Sequence, residues 1–222
     1  MSLAFPALMR KVYVWMTLAL VLTGITAFGV ASSPSLMMTI IQTPAIMWGL
    51  IISELIIVIA ISAAINRLSL TTATLLFVLY SVLNGATLSL IFAVYTMSSI
   101  ANVFFITAGT FGVMAAYGYF TKRDLSSWGK LLLMALIGLI IATLVNVFLV
   151  KSSGFDLILS YAGVLIFVGL TAYDTQKIKQ MLAMQTDMGE GAQKVALLGA
   201  LSLYLDFINL FLYLLRIFGR RE

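Results

Sequence analysis

The C-terminal third holds the stretch that decides the fold: residues 161–179, YAGVLIFVGLTAYDTQKIK, and residues 195–218, VALLGALSLYLDFINLFLYLLRIF. Both segments are apolar and approach or exceed the roughly 20 residues that a helix needs to cross the hydrocarbon of a bilayer. Each carries one acid, Asp174 or Asp206. An acid inside a membrane helix is costly unless it is paired, protonated or facing water, so these two residues are the first candidates for function.

The composition of the whole chain extends this interpretation. Of the 222 residues, 62% are hydrophobic and only 9% are charged, whereas a soluble domain carries about 25% charged residues. A single soluble core of this length has no way to bury so much apolar surface. We therefore predict an all-α integral membrane protein that forms one polytopic domain over residues 1–222. The scattered basic residues argue against nucleic-acid binding.

Seven apolar runs are long enough to be membrane helices. They lie near residues 12–31, 44–65, 72–95, 100–120, 128–150, 156–176 and 195–218. The first run is longer than the roughly 7–15 apolar residues of a signal peptide, so it is predicted to be a retained helix.

Basic residues set the predicted orientation. With a cytoplasmic N-terminus and seven crossings, nine of the 13 lysines and arginines face the cytoplasm. Three of the other four, Arg216, Arg220 and Arg221, lie at the C-terminal end. Either the last helix crosses despite this basic tail or it re-enters. Crossing is favoured because a run of 24 residues is ample for a span.

The chain has no cysteine and no histidine. Disulfides, thiolate or imidazole metal sites and Ser-His-Asp catalysis are therefore excluded. Any group that titrates near neutral pH has to be a carboxyl group in an unusual environment. We expect a protein that is not an enzyme and has no resident cofactor.

Four ionisable residues lie in or next to the predicted spans: Glu54, Arg67, Asp174 and Asp206. Glu54 and Asp206 are deep, whereas Arg67 and Asp174 lie nearer the cytoplasmic face, where they are able to form an ion pair. A plainer interpretation is open for each acid. Asp174 is then an interfacial residue beside lysines, and the other two are satisfied by hydrogen bonds between helices.

The neighbours of Asp206 favour a functional role. Ser202, Asn209 and Tyr213 share its helix face by spacing of three, four or seven residues. This polar stripe predicts that the helix faces a protein interior or a wet cavity. Five glycines, Gly109, Gly112, Gly118, Gly163 and Gly169, are predicted to allow close helix contact.

The depths of the two aspartates pose a problem. Counted from Lys177 and Lys194, Asp174 and Asp206 differ by nine residues, or roughly 13 Å of helix. They meet only if the helices continue beyond these lysines, and the stretch TQKIKQMLAMQ has the pattern of a continued helix. Two adjacent carboxylates away from water cannot both ionise cheaply, so a shared proton or a bound Ca²⁺ would relieve their repulsion. The sequence thus favours proton-controlled passage of a hard cation, with Asp174 and Asp206 as ligands that suit Ca²⁺, and leaves the direction of the pH effect open.

The segments AYDTQKIK and LYLDFINLF, supported by NGATLSLIF at residues 84–92, resemble the Bax inhibitor-one family. The resemblance implies a seven-helix fold with the last helix central and six packed around it. It also implies a pH-sensitive calcium leak with Asp174 and Asp206 as proton sensor and Arg67 as a latch that pairs with Asp174. The short tails favour a bacterial plasma-membrane member that acts as a monomer, with lipid, Ca²⁺ and protons as its partners. Glu54 joins the predicted ion path on grounds of depth alone.

Three other functions stay open. The pair Tyr173–Asp174 matches half of an intramembrane aspartyl protease signature, but no Gly-x-Gly precedes Asp206. A proton-coupled transporter and a non-conducting scaffold are also compatible with the sequence.

Overall fold

The computed structural model describes residues 4–221, which form eight α-helices and no strand. The helices are α1 (Ala4–Ala31), α2 (Pro34–Gln42), α3 (Pro44–Ala64), α4 (Leu70–Leu88), α5 (Met97–Phe120), α6 (Ser126–Val145), α7 (Ser153–Ala183) and α8 (Glu190–Phe218). A 3-10 segment, Ser89–Ala93, extends α4, and a π-helical segment, Asn146–Val150, extends α6. All but the short α2 are long and apolar enough to cross a membrane, which confirms the prediction of an all-α integral membrane protein.

Several helices extend beyond the predicted spans. Helix α1 starts eight residues before Val12, α7 passes both Lys177 and Lys179, and α8 begins four residues before Lys194. Lysine side chains reach water from a helix that runs out of the membrane, so a charge marks the interface and not the end of the helix. The predicted connection at 32–43 contains α2, whose first residue, Pro34, has the backbone angle that a helix start requires.

The described residues form two compact units, of which the first comprises 4–95 and 181–204. In this unit α1 packs mainly on α4, and α3 also packs on α4. The buried side of α1 carries residues at helical spacing: Leu8, Val12, Met16, Ala19, Thr23 and Ala27. Lys11 Nζ donates to Gln193 of α8 at 2.7 Å, and Leu70 N donates to Glu190 at 2.9 Å. Helix α8 therefore begins beside the starts of α1 and α4.

The second unit comprises 96–180 and 205–221. Arg216 near the end of α8 pairs with Asp156 in the first turn of α7 at 3.7 Å, and Arg220 N donates to Ser99 of α5 at 2.9 Å. Helix α8 therefore ends beside the starts of α5 and α7. It is unbroken over 29 residues, which is long enough to cross a bilayer; the crossing itself stays a prediction.

Helix α8 is also the most buried of the seven spans in the described residues. In its most apolar window 67% of the residues are buried, against 11–39% in the other six. The largest fully enclosed side chain, Tyr204, belongs to it. The central position of this helix, which the family resemblance implies, stays a prediction.

Only some of the glycines have the packing role that was predicted. A Cβ on Gly118 of α5 would lie 2.1 Å from the carbonyl oxygen of Ala172 in α7, so these two backbones touch. Gly163 and Gly169 similarly accommodate the side chains of Tyr213 and Leu132. For Gly109 and Gly112 the prediction was wrong, because no protein atom lies within 4 Å of the position of their Cβ.

Candidate functional site

The two aspartates that the sequence singled out meet in the second unit. Asp206 of α8 is only 4% exposed, and Asp174 of α7 is half-buried. Their two carboxyl groups lie within hydrogen-bonding and electrostatic range of each other. Two carboxyl groups form a hydrogen bond only when one of them carries a proton. The arrangement therefore suits one shared proton, next to an Asp206 side chain that is shielded from water.

The pair retains unused hydrogen-bonding capacity. Among the described residues, Asp206 Oδ2 is buried without a hydrogen-bond partner, and so is Thr175 Oγ1 next to Asp174 in sequence. Leaving a buried polar atom unpaired costs roughly 1–3 kcal/mol, and more when the group is charged. A water molecule or a cation at these oxygens would remove that cost.

The extended helices resolve the problem of depth. Asp174 lies nine residues before the end of α7 at Ala183, so Lys177 and Lys179 belong to the same helix and do not mark its end. Lys179 Nζ donates to the carbonyl oxygen of Tyr119 at 2.6 Å and lies 5.0 Å from the centre of its ring. Lys179 is thereby held by α5.

Sequence reasoning missed Gln176, which fastens the connection between α5 and α6 to the helix that carries Asp174. Its Oε1 accepts from Leu125 N at 2.9 Å, and its Nε2 donates to the carbonyl oxygen of Arg123 at 2.7 Å. Gln176 is buried and lies two residues after Asp174. The available signal was an uncharged amide between a membrane acid and two lysines.

Replacing Gln176 with Leu is expected to release this connection, because two backbone groups lose their buried partner. We expect faster trypsin cleavage at Lys122 or Arg123 in detergent, measured by mass spectrometry. The matched control is Gln180→Leu on the exposed side of the same helix, which should leave cleavage unchanged. Equal cleavage of both variants would contradict a fastening role for Gln176.

The same connection carries a fixed negative charge. Hydrogen bonds from the Ser126 side chain and backbone amide lower the pKa of Asp124. The Asp124 carboxylate is therefore ionised at neutral pH, at the start of α6.

Glu54 and Arg67 belong to the first unit, whereas the aspartate pair belongs to the second. Glu54 is half-buried and accepts a hydrogen bond from the hydroxyl of Thr87. Arg67 is exposed in the connection between α3 and α4. Its role as a latch on Asp174 stays a prediction, as does the place of Glu54 in an ion path.

The polar neighbours of Asp206 have mostly structural partners. Asn209 Nδ2 donates to the carbonyl oxygen of Leu205 in its own helix at 2.8 Å. Tyr213 stacks on Phe167. Ser202 is half-buried in the first unit. A contribution of these three residues to ion passage stays a prediction.

The oxygen ligands at Asp174 and Asp206 suit a cation that binds transiently better than one that is tightly held. Ca²⁺ takes six to eight oxygen ligands, whereas the described residues contain no cluster of three or more metal-ligating acids, histidines or cysteines. Calcium at Asp174 and Asp206 would have to complete its shell with hydroxyl, backbone or water oxygens.

Comparison with known proteins identifies the relatives of this fold. The family model described as "Inhibitor of apoptosis-promoting Bax1" matches residues 6–222. The chain belongs to the Bax inhibitor-1 family. One relative is the inner membrane protein YbhL of Escherichia coli K12, which is 53% identical over 215 residues, or 96% of this chain and 92% of YbhL. Uncharacterized proteins of Borreliella burgdorferi and Rickettsia prowazekii are each 46% identical, over 96% of this chain and 92% and 89% of their own lengths. As a Bax inhibitor-1 family protein, the chain has its aspartate pair on the two helices whose sequences carry the family resemblance.

Proposed function

We propose that this Bax inhibitor-1 family protein is a pH-sensitive calcium leak channel of the bacterial inner membrane, gated by Asp174 and Asp206. One observation carries the proposal: two carboxyl groups lie within hydrogen-bonding range of each other, and one of them, Asp206, is buried on the most buried helix. The location follows that of YbhL, an inner membrane protein. The excess of basic residues on one side supports a cytoplasmic N-terminus.

The chemistry of the pair gives the direction of the pH effect. While one proton is shared, the hydrogen bond holds α7 and α8 together at this point. Loss of that proton leaves two negative charges in contact in a medium of low dielectric constant, where their repulsion is strong. The charged pair separates and attracts a cation. Calcium flux should therefore rise with pH, and binding by only two carboxylates is weak enough for release.

Calcium flux into proteoliposomes that enclose a fluorescent calcium indicator tests this function. We expect flux down the calcium gradient with no proton gradient applied, above that of empty liposomes. Flux that needs a proton gradient would identify a transporter instead. A purified, folded protein without any calcium flux would contradict the leak-channel function and favour a scaffold.

A further inference from the structure

A second polar cluster lies within the first unit, on one face of α4. Tyr80, Asn84 and Thr87 are four and three positions apart, so they share that face and extend over roughly 10 Å of helix. Thr87 donates to the carboxyl group of Glu54 in α3, and Asn84 Nδ2 donates to the Tyr80 hydroxyl at 3.0 Å. We call these four residues the Glu54 cluster.

One atom of this cluster has no partner. Asn84 is 7% exposed, and within the described residues its Oδ1 accepts no hydrogen bond. Native proteins rarely leave a buried amide oxygen unpaired, so this oxygen is free to accept a hydrogen bond or to coordinate a cation. The hydrogen bond from Thr87 places the Glu54 carboxyl group on the α4 face that also carries Asn84.

The neighbouring hydroxyls already have partners. Tyr204 OH and Thr23 Oγ1 are 2.6 Å apart, and Thr23 also donates to the carbonyl oxygen of Ser81 at 2.9 Å. This second hydrogen-bonded group satisfies its own buried atoms. Of these two neighbouring groups, only the Glu54 cluster has an unpaired acceptor, Asn84 Oδ1.

We propose that the Glu54 cluster binds a hard cation, Ca²⁺ or Na⁺, at a site distinct from the aspartate pair. It offers a carboxylate, an amide oxygen and two hydroxyl oxygens, which are donors that such cations prefer. Only one of these groups carries a charge, so the cation binds weakly. Weak binding is required at a site along an ion pathway, because the ion has to dissociate again. The proposal rests on the proposed leak function only in the choice of ion.

A proton is the alternative occupant. Protonated Glu54 is able to donate a hydrogen bond toward Asn84 Oδ1, which would satisfy both groups without any cation. The two occupants differ in one respect. A bound cation stabilises the folded protein by an amount that grows with the logarithm of the cation concentration at constant pH. Occupancy by a proton does not respond to an added salt of the metal.

Cation-dependent thermal unfolding of the full chain in detergent tests the proposal. The double variant Asp174→Asn/Asp206→Asn removes the aspartate pair as a binding site. In this background Ca²⁺ or Na⁺ at about ten times its dissociation constant should raise the unfolding midpoint by roughly 3–6 °C, with choline as the ionic-strength control. Adding Glu54→Gln should abolish the rise, and Asn84→Leu should remove most of it. The matched control is Thr74→Val, which removes a half-buried hydroxyl elsewhere on α4 and should keep the rise.

No cation-dependent rise in the double variant, or a rise that survives Glu54→Gln, would overturn the proposal. A midpoint that responds to pH but not to either cation would assign the cluster to a proton. If the double variant does not fold, the same cation titration is carried out on the wild type and on Glu54→Gln. The proposal then requires Glu54→Gln to reduce the cation-dependent rise in the unfolding midpoint. A positive result together with absent liposome flux would reject the leak function and leave the cation site in place.

Discussion

Replacing either Asp174 or Asp206 with Asn is expected to remove most of the pH dependence of calcium flux. The fraction of an acid that has lost its proton changes up to roughly tenfold per pH unit, so the flux of the wild type should rise steeply with pH. An asparagine keeps the shape of the residue and a hydrogen bond to the remaining carboxyl group, but the shared proton is gone. Flux measured in proteoliposomes at each pH should then be nearly constant.

The double variant sharpens this test. Residues that act as one unit give non-additive effects, so Asp174→Asn/Asp206→Asn should flatten the profile no more than either single change. Asp156→Asn is the matched control, because Asp156 lies on the same helix as Asp174 but pairs with Arg216 at the exposed end. A steep profile in both Asn variants, or a flat one in the Asp156 variant, would contradict the assignment of the pair as proton sensor.

Replacing Gly118 with Ala should destabilise the protein more than most single substitutions outside the aspartate pair. The added Cβ would overlap the backbone of Ala172, and backbone is unable to yield as a flexible side chain does. Overpacking of this kind costs roughly 1–3 kcal/mol, or a fall of several degrees in the unfolding midpoint. Because Ala172 precedes Asp174 by two residues, the same change should also alter the pH profile of flux.

Gly112→Ala on the same helix is the control for this prediction. No protein atom lies within 4 Å of its Cβ position, and alanine is the better helix former by about 1 kcal/mol. Its unfolding midpoint in detergent should be unchanged or higher. Equal losses at the two glycines would show that a general effect on helix α5, and not contact with Ala172, explains the result.

The class of fold followed from the sequence because hydrophobic length alone determines it. The seven apolar runs correspond to the seven helices that are long enough to span a membrane. The acids in the last two runs, Asp174 and Asp206, are the two that lie together in the structure. Helix ends were less predictable. Lys177 and Lys179 led to the prediction that the sixth span ends near residue 176, whereas α7 continues to Ala183. The helix continues because long lysine side chains reach water without ending it.

Tertiary partners explain what the sequence did not reveal. Gln176 looks like any polar residue at a membrane interface until its two backbone partners in the next connection are seen. Gly112 and Gly118 have the same sequence character, yet only Gly118 touches another helix. The unpaired oxygen of Asn84 likewise has no signature in the sequence, because it depends on which face α4 turns toward α3.

Infrared spectroscopy of the protein in lipid, recorded as a difference between neutral and alkaline pH, tests the shared proton most directly. The account predicts a carboxylic-acid C=O band at neutral pH that disappears at alkaline pH in wild type. The band of the shared proton should be shifted or lost in both Asp174→Asn and Asp206→Asn, and retained in Asp156→Asn. A wild-type protein with no such band, or a band that neither Asn variant changes, would contradict it.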